Sequence, residues 1–373
     1  MTEPVLFEEK LSSNGKVIAI ATLNVEKTLN SLSLEMIDMI TPQLRAWQDD
    51  PQVAVIVFLG AGERAFCAGG DIQDLYDSME IHPGGPNPFA EAFFEREYLL
   101  DYIIHSSSTP IMVWGHGVVM GGGLGIFGGC SHRVCTERSR IALPEITIGL
   151  FPDAGASKFL TQMPLHLAYF MALTGCQING NDAMLVGLAD HLIGNDKKES
   201  VIGALTEEAW VDDEDQNAVL LTRLLDSIAG VAEFPAGQLE AHVDSIQTVV
   251  SGCSKESFLA DFNTALDSIV ADDWLDRAIK TFRSGCPTTA QIVLEQLKKA
   301  PQMNLAEMFQ MELTIAIQCT RHPDFAEGIR ALLIDKDNEP GWKYPELGRV
   351  PESWIAEHFK EPGDLDNPFR QLV

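Results

Sequence analysis

Two carboxylic acids, Glu145 and Asp153, stand close together in the segment Leu143-Pro144-Glu145-Ile146-Thr147-Ile148-Gly149-Leu150-Phe151-Pro152-Asp153-Ala154-Gly155. The Gly and Pro between them permit a turn that returns the second acid toward the first. Their neighbours Leu143, Ile146, Ile148, Leu150 and Phe151 predict partial burial. Burial raises a carboxyl pKa into the range where the group can take up and release protons near neutrality.

Two glycine turns supply the second kind of chemistry. Ala68-Gly69-Gly70-Asp71 follows the apolar strand Val53 to Leu59, and Gly121-Gly122-Gly123-Leu124-Gly125 follows Pro110 to Val119, read here as one short apolar strand. Consecutive glycines lose the most backbone entropy on folding, so a run of them predicts a close approach to the main chain. Each turn precedes a helix and can present a backbone N–H. Two such donors are what a carbonyl oxygen acquiring negative charge requires. The bland alternative is a helix contact eased by glycine, with no ligand. Gly123-x-Gly125-x-x-Gly128 also fits the dinucleotide fingerprint, with Glu145 placed roughly where a ribose-binding acid would lie. It sits far into the chain, however, and leaves the turn at Gly69-Gly70 unexplained.

The elements that must carry these groups alternate in the first half of the chain. Residues 5–24 read as a hairpin around Ser-Ser-Asn-Gly, and Ser33 can cap a helix from Leu34 to Trp47. Helical spacing resumes over Ile72 to Ser78 and over Phe89 to His105, with the breaker-rich loop 81–88 between them. An α/β layered fold follows. Beyond Pro152 nearly every segment shows helical spacing. The acidic stretch Trp210-Val211-Asp212-Asp213-Glu214-Asp215 reads as a solvated linker rather than a metal site. The expected division is a catalytic core over 1–209 and a helical region over 210–373.

Composition narrows the partners. The 26 Lys and Arg against 54 Asp and Glu leave a net charge of −28, which repels nucleic acid and anionic membrane. A polyanionic ligand must therefore find a locally positive pocket. The seven cysteines (Cys67, Cys130, Cys135, Cys176, Cys253, Cys286, Cys319) are scattered, without a C-x-x-C pair, and predict reduced thiols in a cytoplasmic setting, with no zinc site. MTEPVLFEEK has neither the basic flank nor the apolar core of a signal peptide, and no apolar run is long enough for a membrane span.

Phe66-Cys67-Ala68-Gly69-Gly70-Asp71, Met120-Gly121-Gly122-Gly123 and Pro144-Glu145 followed by Gly149 resemble the crotonase (enoyl-CoA hydratase/isomerase) superfamily. Within it, Gly149-Leu150-Phe151-Pro152-Asp153, Arg96-Glu97-Tyr98 and the stretch from His322-Pro323-Asp324-Phe325 to Asp337, then Pro340, Trp342 and Lys343, resemble the 3-hydroxyisobutyryl-CoA hydrolases. The likeness covers nearly the whole chain and is loosest between about 190 and 270. It implies a spiral of repeated ββα units, an acyl-CoA substrate and no cofactor beyond the coenzyme A of that substrate. It also implies an oxyanion hole from the N–H groups of Gly70 and Gly122. Ala68, Gly69, Asp71, Gly121 and Glu97 are expected to line the substrate.

One departure bears on the reaction. Hydratases of this superfamily carry a glutamate two positions after the glycine triplet, where this chain has Gly125, and without it concerted water addition lacks half of its acid/base pair. Thioester hydrolysis is therefore expected. Glu145 acts as nucleophile or general base, Asp153 orients the 3-hydroxyl or carries a proton, and the resemblance puts the reaction in valine catabolism. The rivals are a hydratase or isomerase and a non-catalytic acyl-CoA binder. His116 is read as a packed histidine, Ser106-Ser107-Ser108 as a helix-ending turn and Lys298-Lys299 as a solvated helix end. Lys27 and Arg64 are candidates for the 3′-phosphate of coenzyme A. The superfamily's trimers leave room for a homo-oligomer.

Overall fold

The computed structural model describes residues 3–230 and 233–372. The N-terminal hairpin pairs β1 (Val5–Leu11) antiparallel with β2 (Val17–Leu23) around Gly15, whose φ of +89° suits glycine. The helix Leu34–Asp49 begins where Ser33 accepts a hydrogen bond from Met36 N at 3.2 Å.

Three repeats then follow, each placing one strand in a large sheet and the next in a small one. The pairs are β3 (Val53–Gly60) and β4 (Ala65–Cys67), β5 (Ile111–Gly115) and β6 (Val118–Met120), and β7 (His132–Cys135) and β8 (Arg140–Ala142). With β9 (His191–Leu192), the large sheet runs β1-β2-β3-β5-β7-β9, parallel from β2 onward, and the small one runs β4-β6-β8. This is the expected ββα repetition. β3 is apolar throughout and almost wholly buried, as a parallel strand covered on both faces must be.

The single strand expected over Pro110 to Val119 is two strands. The chain breaks at His116-Gly117 to pass from the large sheet to the small one. Gly117 makes the step with φ +59°, and a Cβ there would overlap the carbonyl of Arg64. His116 is buried at the break, with Nε2 2.9 Å from Gly62 O, and so is the packed histidine expected.

The chain divides into two compact units that interleave in sequence. The first comprises Met1–Gly70, Leu99–Ile141 and Ile178–Gly237, the second Asp71–Tyr98, Ala142–Gln177 and Gln238–Val373. None of these boundaries falls at 209/210. The acidic stretch read as a linker is instead fixed within the first unit. Trp210 is in its core with Ile18, Val55 and Leu221, and Asn14 Nδ2 donates to Trp210 O at 2.6 Å. Asp212 pairs with Lys16, and Asp213 caps the helix Glu214–Ile228. The flanking charges obscured a tryptophan whose burial outweighs them.

The second unit holds most of the helices expected beyond Pro152, among them Asp273–Ser284, Pro287–Lys299 and Leu305–Arg321. Leu160 to Leu173, read as one helix, is two, Ala156–Gln162 and Leu165–Thr174, parted at Met163-Pro164. The C-terminal motif folds as the short helix Pro323–Ile329 followed by a π turn over Arg330–Ile334. Among the described residues, no helix is long and apolar enough to cross a membrane.

Candidate active site

Glu145 sits on a single 3-10 turn, Pro144–Thr147, that Pro144 opens and that Ile148 N and Leu150 N close by donating to Glu145 O at 3.0 and 3.2 Å. The turn is braced by Cys286 N, which donates to Ile146 O at 2.8 Å. From there Ile148-Gly149 runs against the helix Pro323–Ile329. A Cβ on Gly149 would overlap the carbonyl of Asp324, and one on Gly328 would overlap the main chain of Ile148. Two glycines let two main chains touch, and Asp153 follows four residues later.

Asp153 does turn back toward Glu145. Both are buried, at 8% and 3% exposure, and so is Glu97 at 3%. Burial, the largest cause, pushes the carboxyls of Glu97 and Glu145 well above the usual glutamate range, and the charge of Asp153 pushes each further. Burial also raises Asp153, to about 6, although the hydroxyl of Tyr98, donating to Asp153 Oδ2 at 2.5 Å, opposes the rise by favouring the ionised form. At Glu145 its own main-chain N–H likewise favours the ionised form, without offsetting burial. Glu145 Oε2 and Glu97 Oε1 are buried with no hydrogen-bond partner among the described residues. Buried acceptors left unmatched are costly, and they mark where a ligand's donors would be received.

Tyr98 is held by its ring, which packs on Phe94 and Phe309 with centroids 5.7 and 6.4 Å away. The turn after Asp153 is fixed by Glu312, fully buried on the helix Leu305–Arg321. Its two carboxylate oxygens accept from Gly155 N at 2.8 Å and Ser157 N at 2.7 Å. Gln296 Nε2 donates to Pro152 O at 2.7 Å and to Ser157 Oγ at 3.0 Å. Neither Glu312 nor Gln296 was singled out in the sequence. A lone acid in the apolar run Met311-Glu312-Leu313-Thr314-Ile315 was the one signal present, and Gln296 carried none.

The glycine turns belong to the first unit. Gly121, at φ +50°, leads into the helix Gly122–Gly129, and a Cβ on Gly69, at φ +108°, would lie 3.3 Å from Met120 O and 3.8 Å from Gly122 N. The two turns are therefore packed together, as their joint reading requires. Neither Gly70 N nor Gly122 N donates to a main-chain carbonyl outside the helices and strands among the described residues. Gly123 allows the helix to close on β4, since a Cβ there would come within 2.5 Å of Cys67 O, and this packing accounts for the glycine spacing that imitates a dinucleotide fingerprint. Asp71 caps the helix Ile72–Ile81 by accepting from Gln73 N, while Ala68 lies half-buried in the turn.

Lys27, on the 3-10 turn Glu26–Thr28, and Arg64, in the loop after β3, are both exposed. Ser106 Oγ donates to Tyr102 O in the last turn of the helix, Ser107 Oγ donates to Thr109 O just beyond it, and Lys298 pairs with Glu295, so both readings as helix ends hold. A cavity of about 410 Å³ lies elsewhere in the second unit, lined by Gln318, Arg321, His322, Glu357 and Lys360. It contains none of the three acids, and its Arg321 is already paired with Glu91 and Asp364. Among the described residues, no three His, Cys, Asp or Glu side chains are grouped to hold a metal ion.

Comparison with known proteins bears on what this arrangement does. Residues 18–359 match the family model described as enoyl-CoA hydratase/isomerase. The chain is 34% identical over 365 residues to the Homo sapiens protein named 3-hydroxyisobutyryl-CoA hydrolase, mitochondrial, covering 97% of this chain and 91% of that one. The Danio rerio protein of the same name is 33% identical over 365 residues, with the same coverage. Among solved structures, a carnitinyl-CoA dehydratase from Mycobacterium thermoresistibile is similar with TM-score 0.83 and 28% identity over 97% of this chain and 98% of its own. An enoyl-CoA hydratase from Rhodobacter sphaeroides 2.4.1 follows at TM-score 0.81, with the same identity and coverage.

Proposed function

The chain belongs to the enoyl-CoA hydratase/isomerase family, and on that premise we propose that it is a thioester hydrolase cleaving a short 3-hydroxyacyl-CoA, 3-hydroxyisobutyryl-CoA above all, to the free acid and coenzyme A. The relatives' names support the substrate class. The observation that carries the reading is Glu145, buried with an oxygen left unmatched, in a chain that has Gly125 where hydratases carry their second acid.

In the proposed reaction the N–H groups of Gly70 and Gly122 stabilise the oxyanion as the carbonyl carbon becomes tetrahedral; each such donor lowers the barrier by about 3 kcal/mol. Glu145, once ionised, either attacks that carbon or takes a proton from a water that does. The C–S bond then breaks, coenzyme A leaves as a thiolate, and the proton released from water returns to it. In the first route water opens the mixed anhydride at Glu145 in a second step. Asp153 receives the 3-hydroxyl or carries the proton, Glu97 faces the acyl group, and no cofactor takes part. A place in valine catabolism rests on the resemblance, and a cytoplasmic location on seven cysteines that form no disulfide. The two relatives are named as mitochondrial, so cell fractionation decides that point.

The hydratase names of the two structural neighbours support the second reading, water addition to an enoyl-CoA. Thiol release and enoyl-CoA hydration measured side by side over a panel of acyl-CoAs separate the two. Faster turnover of an enoyl-CoA would sink the hydrolase reading, and binding without turnover would leave an acyl-CoA carrier. Single turnover in ¹⁸O-water distinguishes the chemical routes, since label entering Glu145 requires the anhydride.

A further inference from the structure

We propose that Glu312 and Gln296 are positioning residues for Asp153, fixing the turn that presents its carboxylate; this rests on the hydrolase reading above. Three observations carry it. First, the residues gripped are those that bracket Asp153. Gln296 takes the carbonyl of Pro152 on one side, while Glu312 takes the N–H groups of Gly155 and Ser157 on the other. Second, the turn between these grips is not one a chain adopts unaided. Ala154 has φ +54° and Gly155 φ +86°, and a left-handed alanine persists only where its surroundings over-determine it.

Third, both gripping side chains are fully buried, at 0% exposure, on helices whose other inward residues are mainly apolar. A buried carboxylate contributes less to stability than a well-packed apolar residue of the same volume, so its presence calls for another account. Matching two N–H donors with one rigid pair of oxygens provides that account, because both oxygens must be acceptors and an amide offers only one. Tyr98 completes the arrangement by donating to Asp153 Oδ2. The carboxylate is thus held through its backbone by one pair of residues and at its oxygen by a third. The acids and phenol facing this turn are Glu97 and Tyr98 from the helix Pro88–His105, Glu145 from its 3-10 turn, and Glu312 itself.

The test compares full-length wild type, Glu312→Gln and Gln296→Leu, each with Asp153 intact and as Asp153→Asn. Thiol release from 3-hydroxyisobutyryl-CoA gives kcat and KM, and hydrogen exchange reports on the amides of residues 153–157. With Asp153 intact, kcat is expected to fall about tenfold or more in Glu312→Gln while KM stays within about threefold, as misplacement of a reacting group demands. In the Asp153→Asn background the further loss is expected to be less than about twofold. Faster exchange across the turn accompanies it. An unchanged kcat, or an equal loss in both backgrounds, overturns the proposal. Should Asp153→Asn leave no measurable rate, unaltered exchange protection in Glu312→Gln overturns it instead. Wild type that releases no thiol defeats the hydrolase reading, an outcome distinct from these.

Discussion

The hydroxyl of Tyr98 donates to Asp153 Oδ2 at 2.5 Å, a bond that favours the ionised form of a buried acid. Tyr98 favours the ionised form of Asp153, while Glu97 and Glu145 are pushed toward their neutral forms by burial and by that same charge. The phenol thus opposes, at Asp153, the upward shift that burial imposes on all three acids.

Removing the phenol hydroxyl tests that effect. In Tyr98→Phe the pKa of Asp153 rises from about 6, so near neutrality the acid becomes protonated. Thiol release is expected to fall more at mildly acidic than at mildly alkaline pH, by roughly tenfold in relative terms if the pKa climbs by about one. Equal losses at both pH values would show that the hydroxyl does not set the charge of Asp153.

The acid limb of kcat/KM is expected to lie above the ordinary glutamate range, because Glu145 must ionise before it can attack or accept a proton. Glu145→Gln should lower kcat by about a thousandfold or more, as loss of the central group in a reaction unit does. Asp153→Asn removes the neighbouring negative charge that raises Glu145, and so should move the limb of its residual activity to lower pH. A limb that moves upward would assign the titration to another group.

Stability should fall as the pH rises through neutrality. The carboxyls of Asp153 and Glu312 sit at about 6 and about 7, and those of Glu97 and Glu145 also lie above their ordinary values, so the native state binds more protons than the unfolded chain through this window. Stability from these four is complete below their unfolded values and is lost as pH climbs through the folded ones, at about 1.4 kcal/mol for each pH unit that separates the two. The lowered acids, such as Asp190 beside Arg133, act only below the ordinary aspartate range. The lowered histidines His116, His132, His166 and His358 act the other way below about pH 6.5, so the comparison is made above it: urea midpoints are expected to fall from about pH 7 to about pH 8.5, and a rise there would contradict the buried acid cluster.

Glycine substitutions should split sharply by position. Gly328→Ala forces a Cβ into the main chain of Ile148 and should cost about 3 kcal/mol or more in urea unfolding. Gly203→Ala, on the helix Lys198–Glu207 with no atom near its Cβ position, should instead stabilise by about 0.5–1 kcal/mol. Equal effects would mean that the contact between the two motifs is loose.

The parts of this site legible in the sequence are those that local chemistry marks. Gly149 and Pro152 announced the turn between Glu145 and Asp153, the glycine runs announced close backbone approach, and Ser33 announced a helix start. The break at His116-Gly117 was not legible, because an apolar run that changes sheets has the same pattern as one that stays. Nor was the anchoring of Asp212 and Asp213, which are solvated as a charge run should be but are tied to the first unit by Lys16, by a helix start and by the buried Trp210 beside them. Glu312 and Gln296 lay beyond reach for a different reason. Apart from Ser157 Oγ, their partners are backbone atoms of the Pro152 to Ser157 turn, and a backbone atom leaves no trace in residue identity.

That last separation has a bearing on how the protein comes into being. Pro152 waits for a residue 144 positions downstream, and Gly155 for one 157 positions downstream. During synthesis all the groups proposed to act on the thioester leave the ribosome well before the side chains that set Asp153 in place. On the roles proposed above, a chain cut short ahead of residue 296 would bear Glu145 and Asp153 without the side chains that grip the turn between Pro152 and Ser157, and is expected to leave coenzyme A thioesters intact.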